Sequence, residues 1–545
     1  MSCVLNGSAA GMTISPNSSR TLEFAVLALV VAAFIPSLGG GFLADDFAYI
    51  ARFREFPWSE FPTLFSRDWS GGIWGIPLRE LRPFVALSFM GDARLFGGDP
   101  LGYRLTNLGL HLIATFLVMR LAAIYVGPPT GVSAEPMHKL AVLSAGLVFG
   151  LHPAHAEAVG WITGRVDVQA TAAALLFLVA SDRFSVTGCW GRAGVAGAAL
   201  FLGIFSKELC LFAPLILLLR WVAFDLRAGK AVWLRRLTLF AGIAILLTIY
   251  SACRRAAFGH DSIGYNLWTD APAWQRQAHY AGWLWPLLPF TTKGEWQNLP
   301  SLAVLHGIWI TIAVISLAGF ALALWRRAAA VAALFFFGGV WYLVTVFPMT
   351  GVVYFTPRHL YFPSVGMALA VGFLVILLPR RKVIAGIFVV WCLLGHVFAL
   401  RPWIASANIS KTALAGVNRE LSAAIPGTVL VTSVPETNGP TLLWAWSSPH
   451  CVSPPFVVRA ADHVIDRPAN YVQADRWTED RKPSETMRAA KSLVALHVDA
   501  AGLVNVRRVD GAEMTARVEA FLQLATSGGL NPDSLSAWVR TVAAP

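Results

Sequence analysis

The sequence predicts an α-helical membrane protein with about eleven transmembrane helices and a small C-terminal extracytoplasmic α/β domain. The 545 residues are 56% hydrophobic and 14% charged, with a mean hydropathy of +0.59. These values lie outside the range of ordinary soluble domains. The apolar residues gather into segments suited to crossing a hydrocarbon core of roughly 30 Å as helix. After residue 400 the pattern changes to alternating strands and turns.

The apolar segments set the domain organisation. Several of them are short; they cover residues 22–41, 105–126, 140–151, 168–181, 193–205, 209–224, 237–253, 302–325, 328–347, 363–378 and 383–400. We therefore expect a cytoplasmic segment at 1–21, a transmembrane domain at 22–400 with outer loops at 44–103 and 254–301, and a soluble extracytoplasmic domain at 401–545.

Basic connectors set the expected orientation. Residues 220–236, 325–327 and 379–382 are short and rich in Lys and Arg, so the positive-inside rule makes them cytoplasmic. The N-terminus is then cytoplasmic, the segment from Leu22 is an uncleaved anchor, and an odd number of spans places the C-terminal region outside. The net charge of +12 serves topology and contacts with anionic lipid, so nucleic acid is excluded as a partner.

The C-terminal region contains three readable elements. Residues 427–434 and 492–509 alternate like strands, and the second stretch turns as a hairpin near 500–502. Residues 511–525 form a closing amphipathic helix. The six cysteines are scattered without metal-binding or redox spacing, so they imply no disulfide framework.

Two adjacent aspartates follow the first apolar segment, in "GFLADDFAYI". Neighbouring residues do not face each other in helix or strand, so Asp45 and Asp46 point apart and are suited to different tasks. In a dry site, mutual repulsion holds one proton near neutrality, which suits a general base. The alternative is a solvated polar flank at the end of a span.

Three further polar clusters fall on the same predicted outer face. They are "HPAHAEAVGWITGRVD" (152–167), "SKE" (206–208) and "TPRHLYF" (356–362). Ionisable residues at membrane depth are costly, so their convergence predicts a functional site. A transporter would need charges reaching the cytoplasmic side, and the concentration on one face favours an enzyme instead.

Each cluster permits two interpretations. Lys207 either forms an internal ion pair with Glu208 or binds a lipid phosphate. Arg358 and His359 allow the same two interpretations, and arginine is suited to forked contacts with phosphate oxygens. His152, His155 and Glu157 fit a divalent-metal pattern, but Pro153 argues against the regular helix that would set its geometry. The alternatives are a substrate-lining loop or histidines held structurally by residues 164–167, including Asp167.

A polar stripe follows in the second span. Arg104, Asn107 and His111 stand at i, i+3 and i+7 and share one helical face. Polar side chains that face lipid cost free energy, so we expect the stripe to face the protein. It either lines the substrate in the site or packs against the outer loop. The aromatic stretch 280–290 is expected to form an interfacial helix, with a sugar-stacking platform as the alternative.

Four motifs resemble a known family. "RPFVALSFMGDARLFGGDPLGYRLTNLGLHLIATFLV", "FGLHPAHAEAVGWITGRVDVQA", "FSKELCLFAPLILLL" and "RHLYFPSVGMALA" are similar to the membrane half of the transmembrane and tetratricopeptide-repeat (TMTC) O-mannosyltransferases and their bacterial relatives, in the family's order. The resemblance implies a GT-C glycosyltransferase with a polyprenyl-phosphate sugar donor. We expect no cofactor, with a divalent metal as the alternative. The resemblance matches the family's acidic pair to Asp45 as general base and Asp46 as its partner.

The resemblance also implies where the donor binds. Lys207, Arg358 and Arg165, with His359, would meet the departing lipid phosphate, which needs positive charge. The lining residues would be Arg104, Asn107, His111, His152, His155, Glu157, Asp167 and Glu208. A single base that activates the acceptor hydroxyl for direct attack at the anomeric carbon would invert its configuration, whereas retention usually needs a second carboxylate about 5 Å from the first.

The chain departs from the family in two places. His359 stands where an aromatic residue is usual, and no repeat array follows the last span. The acceptor is therefore an open choice among a glycan, a lipid and a protein hydroxyl, and mannose is one candidate sugar. The compact connectors favour a bacterial inner membrane with a periplasmic active face. The rival functions are a non-enzymatic transporter or flippase of lipid-linked sugar, and a degenerate family member that binds polyprenyl phosphate without transfer.

Overall fold

The computed structural model describes most of the chain. The described residues are 16–73, 78–127, 134–259, 302–346, 356–439, 441–444, 447, 450–466, 483–527 and 529–544, of which 16–19, 134, 302–310 and 312 are described by their backbone alone. The stretch 280–290, for which we predict an interfacial helix, lies outside them.

The membrane domain is a bundle of helices. Six described helices are long and apolar enough to cross a membrane, and three shorter ones are apolar. This confirms an α-helical integral membrane protein but does not confirm a count of eleven spans. The helices are α1 Pro16–Phe34, α2 Asp45–Glu55, α3 Pro83–Phe96, α4 Pro100–Val126, α5 Ala134–Gly150, α6 His155–Gly160, α7 Arg165–Thr187, α8 Trp190–Ile204, α9 Ala213–Asp225, α10 Lys230–Phe258, α11 Leu302–Trp325, α12 Ala329–Phe335, α13 Trp341–Val346, α14 Pro363–Leu377 and α15 Arg381–Ser422.

Helix α7 forms the centre of the bundle. In the apolar segment of α7, 89% of the residues are buried within the protein, against 17% in the apolar segment of α10. It packs against α4, α8 and α9, so its first residues are held on all sides. Those first residues, Arg165 and Asp167, belong to the predicted site.

Two predicted regions contain more helix than the sequence indicated. The predicted outer loop at 44–103 contains helices α2 and α3 and a 3-10 stretch, Trp58–Phe65. Helix α15 does not end near residue 400 but continues to Ser422, with Pro402 inside it. Its second half leaves the bundle and packs on the C-terminal sheet, where Gly416 approaches Val506.

The C-terminal α/β domain is confirmed. Its four-stranded sheet has the order β4-β1-β5-β6, with β1 parallel to β4 and β5, and β5 antiparallel to β6. The hairpin and the closing helix occur as predicted, whereas β4 and the last helix were not anticipated. The elements are β1 Thr428–Ser433, β2 Thr437–Asn438, β3 Thr441–Leu442, β4 His463–Asp466, α16 Pro483–Ala489, β5 Ser492–Val498, β6 Val504–Val509, α17 Gly511–Thr526 and α18 Pro532–Ala543.

The sheet has two apolar faces. On one face Val429, Val431 and Leu493 pack with Phe521 of α17 and Trp538 of α18. The other face, with Leu430 and Val494 among its residues, joins the core of the membrane domain. The side chains alternate between the faces because successive residues of a strand point to opposite sides.

Gly366 marks a tight contact in the bundle. A Cβ there would lie 2.5 Å from the backbone oxygen of Phe337. We expect Gly366→Ala to lower the free energy of unfolding by about 1–3 kcal/mol, because a backbone atom cannot yield as a side chain can. Thermal unfolding in detergent measures this.

Gly386→Ala is the matched control, since a Cβ at Gly386 meets nothing within 4 Å and alanine favours helix over glycine. Equal losses in the two variants would show that the contact at Gly366 is not what matters.

Candidate active site at the outer end of the bundle

The two aspartates at the start of α2 have different surroundings. Asp46 is fully buried, and its carboxylate accepts hydrogen bonds from Leu43 N (2.9 Å), Thr163 N (2.8 Å) and Thr163 Oγ1 (2.7 Å). Asp45 is half-buried. The two adjacent aspartates therefore differ in burial, and the different tasks predicted for them stay a prediction.

Burial changes the acidity of Asp46, which lies outside the membrane-spanning segments. Burial is the largest influence and raises the pKa of the carboxyl from 3.8 to about 6. The three hydrogen bonds and the charge of Arg104 act in the opposite direction, because they favour the ionised form.

The polar stripe of α4 holds backbone in place. Arg104 donates to Gly160 O (2.5 Å) and Gly41 O (2.6 Å), and Asn107 donates to the carbonyls of residues 161 and 162. His111 shares hydrogen bonds with the Tyr361 hydroxyl (2.5 Å) and the carbonyl of residue 150. The shared face therefore packs on the chain around α6, and the predicted role of these residues in lining the substrate stays a prediction.

Arg165 is committed to internal partners. It is fully buried and donates to Asp92 (2.6 Å), Asn107 Oδ1 (2.7 Å) and Tyr103 O (3.0 Å), with its guanidinium over the Phe89 ring. The position is structural in character, so Arg165 is the least suited of the predicted cations to meet a phosphate.

Lys207 and Arg358 share a carboxylate. Lys207 Nζ lies 2.5 Å from Asp167 Oδ1, and Arg358 lies 3.8 Å from both Asp167 and Glu157. Glu157 also accepts from Arg358 N (3.3 Å) and from the hydroxyl of Thr356. The structure therefore pairs Lys207 with Asp167 rather than with its chain neighbour Glu208.

Burial shifts the acidity of these charged groups too. It raises the pKa of Glu157 and lowers that of Lys207, with the charges of Arg358 and Asp167, respectively, opposing each shift. His359 is buried, and burial followed by the charge of Lys207 lowers its pKa well below the usual value. His359 is thus neutral and adds no positive charge.

Sequence analysis missed three members of this cluster. Arg82 pairs with Glu80 (2.6 Å) and lies 4.0 Å from Glu208, while Arg254 lies 3.5 Å from Glu208. Glu80 and Arg82 stand in "RELRP". The two opposite charges on either side of a leucine were the only sequence feature that could have indicated these site residues. The four cations are balanced by four carboxylates: Arg82, Lys207, Arg254 and Arg358 against Glu80, Glu157, Asp167 and Glu208.

Trp161 joins the aspartate turn to the charge cluster. Its indole Nε1 donates to Leu43 O (3.2 Å), and the guanidinium of Arg358 stands 4.6 Å from its ring centroid. Leu43 in turn donates to Asp46. One side chain thus separates the acidic turn from a cation that is 13% exposed.

The predicted metal pattern is divided among different partners. His155 Nε2 bonds to Ser364 Oγ (2.8 Å), Glu157 is held by Arg358 and Thr356, and His152 Nδ1 accepts from Ala154 N. Within the described ranges, no group of three or more His, Cys, Asp or Glu side chains is placed to hold a metal ion.

A second charged cluster corrects one sequence argument. Asp182 pairs with Arg220, and Asp225 pairs with Arg220 and Arg236 (3.0 Å). Asp182 stands 17 residues beyond Arg165 on α7, which is about 26 Å along the helix. Buried charges therefore do not concentrate on one face, and their distribution does not argue against a transporter.

The sequence is similar to curated O-mannosyl-transferases. It is 29% identical over 215 residues to Tmtc1 of Drosophila melanogaster, covering 37% of this chain and 23% of that protein. It is 31% identical over 221 residues to Drosophila Tmtc2, covering 37% and 21%, and 31% identical over 167 residues to human TMTC2, covering 29% and 18%. The resemblance predicted from the motifs is confirmed, and this chain spans less than a quarter of these relatives.

Other comparisons were less specific. No family model matches the chain. The apo structure of ArnT from Cupriavidus metallidurans aligns with a TM-score of 0.40 and 14% identity, covering 88% of this chain and 93% of ArnT. ArnT bound to undecaprenyl phosphate aligns at 0.37 and 16%, covering 88% and 92%. At these TM-scores the likeness specifies neither a ligand nor a site in this chain.

The carboxyl of Asp46 is expected to titrate near pH 6, about two units above an exposed aspartate. Since its pKa is raised on folding, its contribution to stability is full below about pH 4 and lost as pH rises through about 6. Thr163→Val removes one hydrogen bond to the ionised form and moves the titration to higher pH. Infrared difference spectra of the carboxyl band measure both.

Asp46→Asn identifies the band, because it removes that carboxyl alone. Thr345→Val is the control, since Thr345 is also a buried threonine with a backbone hydrogen bond. A band that shifts equally in both threonine variants would contradict the assigned contact.

Proposed function

We propose that this protein is an inverting membrane glycosyltransferase of the GT-C type. It moves a sugar from a polyprenyl-phosphate donor to an acceptor hydroxyl on the extracytoplasmic face, which in bacteria is the periplasmic side of the inner membrane. The observation that carries the proposal is the bridge through Trp161, which brings Arg358 beside the turn of Asp45 and Asp46. The relatives named O-mannosyl-transferases make mannose the first sugar to test.

Asp45 is the general base in this mechanism. It is half-buried and stands beside the fully buried Asp46, so it is the member of the pair that an acceptor from water can reach. Asp45 takes the proton of the acceptor hydroxyl while that oxygen bonds to the anomeric carbon. The bond from the anomeric carbon to the phosphate oxygen breaks at the same time.

Asp46 supports inversion at the anomeric carbon. A retaining route needs a second carboxylate as nucleophile, but both oxygens of Asp46 accept hydrogen bonds, Oδ2 from Leu43 and Oδ1 from Thr163. Asp46 therefore positions the turn, and the single base Asp45 drives direct displacement.

The leaving phosphate needs positive charge more than a proton donor. Lys207 and Arg358 supply this charge, since their side chains are 9% and 13% exposed. Both pair with Asp167, and the phosphate competes with Asp167 for these two cations. We propose that no metal cofactor is required, because these cations can do this work. Full activity in excess EDTA is the expected result.

The acceptor is a hydroxyl of a glycan, a lipid or a protein. The relatives are named protein O-mannosyl-transferases, which specifies protein acceptors, but this chain spans only 23% and 21% of them. All three acceptor classes therefore belong in the assay.

A second candidate function is transport or flipping of a lipid-linked sugar. The cluster of Asp182, Arg220 and Asp225 favours it, since it places buried charge at the end of the bundle opposite Asp45. The enzyme proposal is preferred because the relatives are named O-mannosyl-transferases.

Asp45→Asn is expected to lower turnover of a short-chain polyprenyl-phosphate mannose donor by about 10²–10⁴-fold while donor binding is kept. Asp46→Asn loses turnover too, because an amide nitrogen cannot accept the bonds made to that carboxylate oxygen. Transfer of labelled sugar to the three acceptor classes and to water is measured with EDTA present and absent.

Equal binding by the wild type and both variants, with turnover by none of them, would overturn the enzyme proposal in favour of binding or flipping. Turnover that is lost in EDTA and restored by a divalent ion would overturn the metal-free mechanism alone.

Arg358→Gln is expected to weaken binding of the same donor by at least about tenfold, because a buried forked contact to phosphate oxygens is lost. Equilibrium binding of the radiolabelled donor measures the change. Arg220→Gln is the matched control: Arg220 also joins two carboxylates, but at the opposite end of the bundle. Equal weakening in both variants would indicate general destabilisation instead of phosphate contact.

A further inference from the structure

The residue before Asp45 has a strained backbone. Ala44 has φ 43° and ψ −122°, a region that glycine adopts readily and that residues with a Cβ rarely enter. Ala44 is fully buried. A strained residue keeps such a conformation only when its surroundings impose it, and strain of this kind clusters at functional sites.

The C-terminal domain imposes it. Ala44 N donates to Leu443 O at 2.7 Å, and the Ser447 hydroxyl donates to Ala44 O. Both polar backbone groups of Ala44 are thus bound by one short stretch of chain that follows β3.

Aromatic side chains from the same domain pack against the turn before and after Asp45. The Phe456 ring packs edge-on against Phe42 (5.1 Å between centroids) and Phe47 (4.9 Å). Trp444 packs against Phe47 and donates to Ser410 Oγ (2.9 Å), and Ser410 donates to Phe42 O (2.7 Å). The turn is therefore fixed in position before and after Ala44.

We propose that Ser447, with the backbone of Leu443, positions the catalytic base by holding Ala44 in its strained conformation. This inference rests on the proposed function of Asp45. It makes the C-terminal domain part of the catalytic machinery, beyond any part it has in acceptor binding.

A physical consequence separates this role from simple anchoring. Without the Ser447 hydroxyl, Ala44 relaxes toward an ordinary backbone conformation, and the carboxylate of Asp45 turns with it. Lys207 and Arg358, to which donor binding is assigned, pair with Asp167 and Glu157 of the membrane domain, so the donor still binds. Turnover falls while the KM for the donor is kept.

Ala44→Gly tests the strain directly. Glycine adopts the conformation of Ala44 without a Cβ clash, so the turn depends less on the Ser447 hydroxyl when residue 44 is glycine. The two sites are then coupled, as residues in contact commonly are.

The experiment measures kcat and donor KM for wild type, Ser447→Ala, Ala44→Gly and the double variant, with polyprenyl-phosphate mannose as donor. We expect Ser447→Ala to lower kcat by about ten- to a hundredfold with donor KM kept within about twofold. In the Ala44→Gly background the same substitution should cost less than about threefold.

Ser433→Ala is the matched control. Ser433 is a buried serine of the same domain whose hydroxyl bonds to Ser536 Oγ (2.7 Å), on α18, and its loss should leave kcat unchanged. Amide hydrogen exchange of residues 41–50 provides a readout independent of turnover. It should become faster in Ser447→Ala and stay the same in Ser433→Ala.

Two results would overturn the inference while leaving the proposed function standing: full kcat in Ser447→Ala, or equal kcat losses from Ser447→Ala in the two backgrounds. Unchanged exchange in Ser447→Ala would also overturn it. Turnover that does not depend on Asp45 would instead overturn the proposed function.

Discussion

The hydrogen bonds of Asp46 fasten the outer turn to the centre of the bundle. A buried carboxylate is tolerated only when its oxygens are bonded, and here one partner lies within the turn and the other, Thr163, stands just before α7. The turn is thereby anchored beside α7, the most enclosed of the described candidate spans. Asp45 therefore stands on an anchored turn, although Asp45 itself is only half-buried.

The charges at this end are organised by a second constraint, the cost of isolated charge at membrane depth. Pairing each cation with a carboxylate lowers that cost but leaves a cluster that is close to neutral. Such pairs add little stability compared with apolar packing. The contrast between Arg165, fully buried with short contacts, and Arg358, partly exposed with 3.8 Å contacts, distinguishes a structural ion pair from one able to exchange partners.

The C-terminal domain is tied to the site through continuous structure. Helix α15 runs unbroken from the bundle to Ser422, and the sheet packs on its second half. From that base, Leu443, Ser447 and the aromatic residues around them return to the aspartate turn. A domain that resembles a separate appendage in sequence thus encloses the residue next to the proposed base.

Local sequence patterns were enough to predict the membrane character and the C-terminal hairpin and closing helix, because hydropathy and turn chemistry act over a few residues. Tertiary structure decided which distant groups meet. Asp46 bonds to a residue 117 positions away. Lys207 pairs with Asp167 and not with its chain neighbour Glu208. Strand β4 pairs in parallel with β1 across a crossover connection. The positive φ of Ala44 was not predicted either, since its backbone is contacted by residues 443 and 447, about 400 positions away. Local patterns report which face a side chain takes, whereas its partner depends on how the whole chain packs.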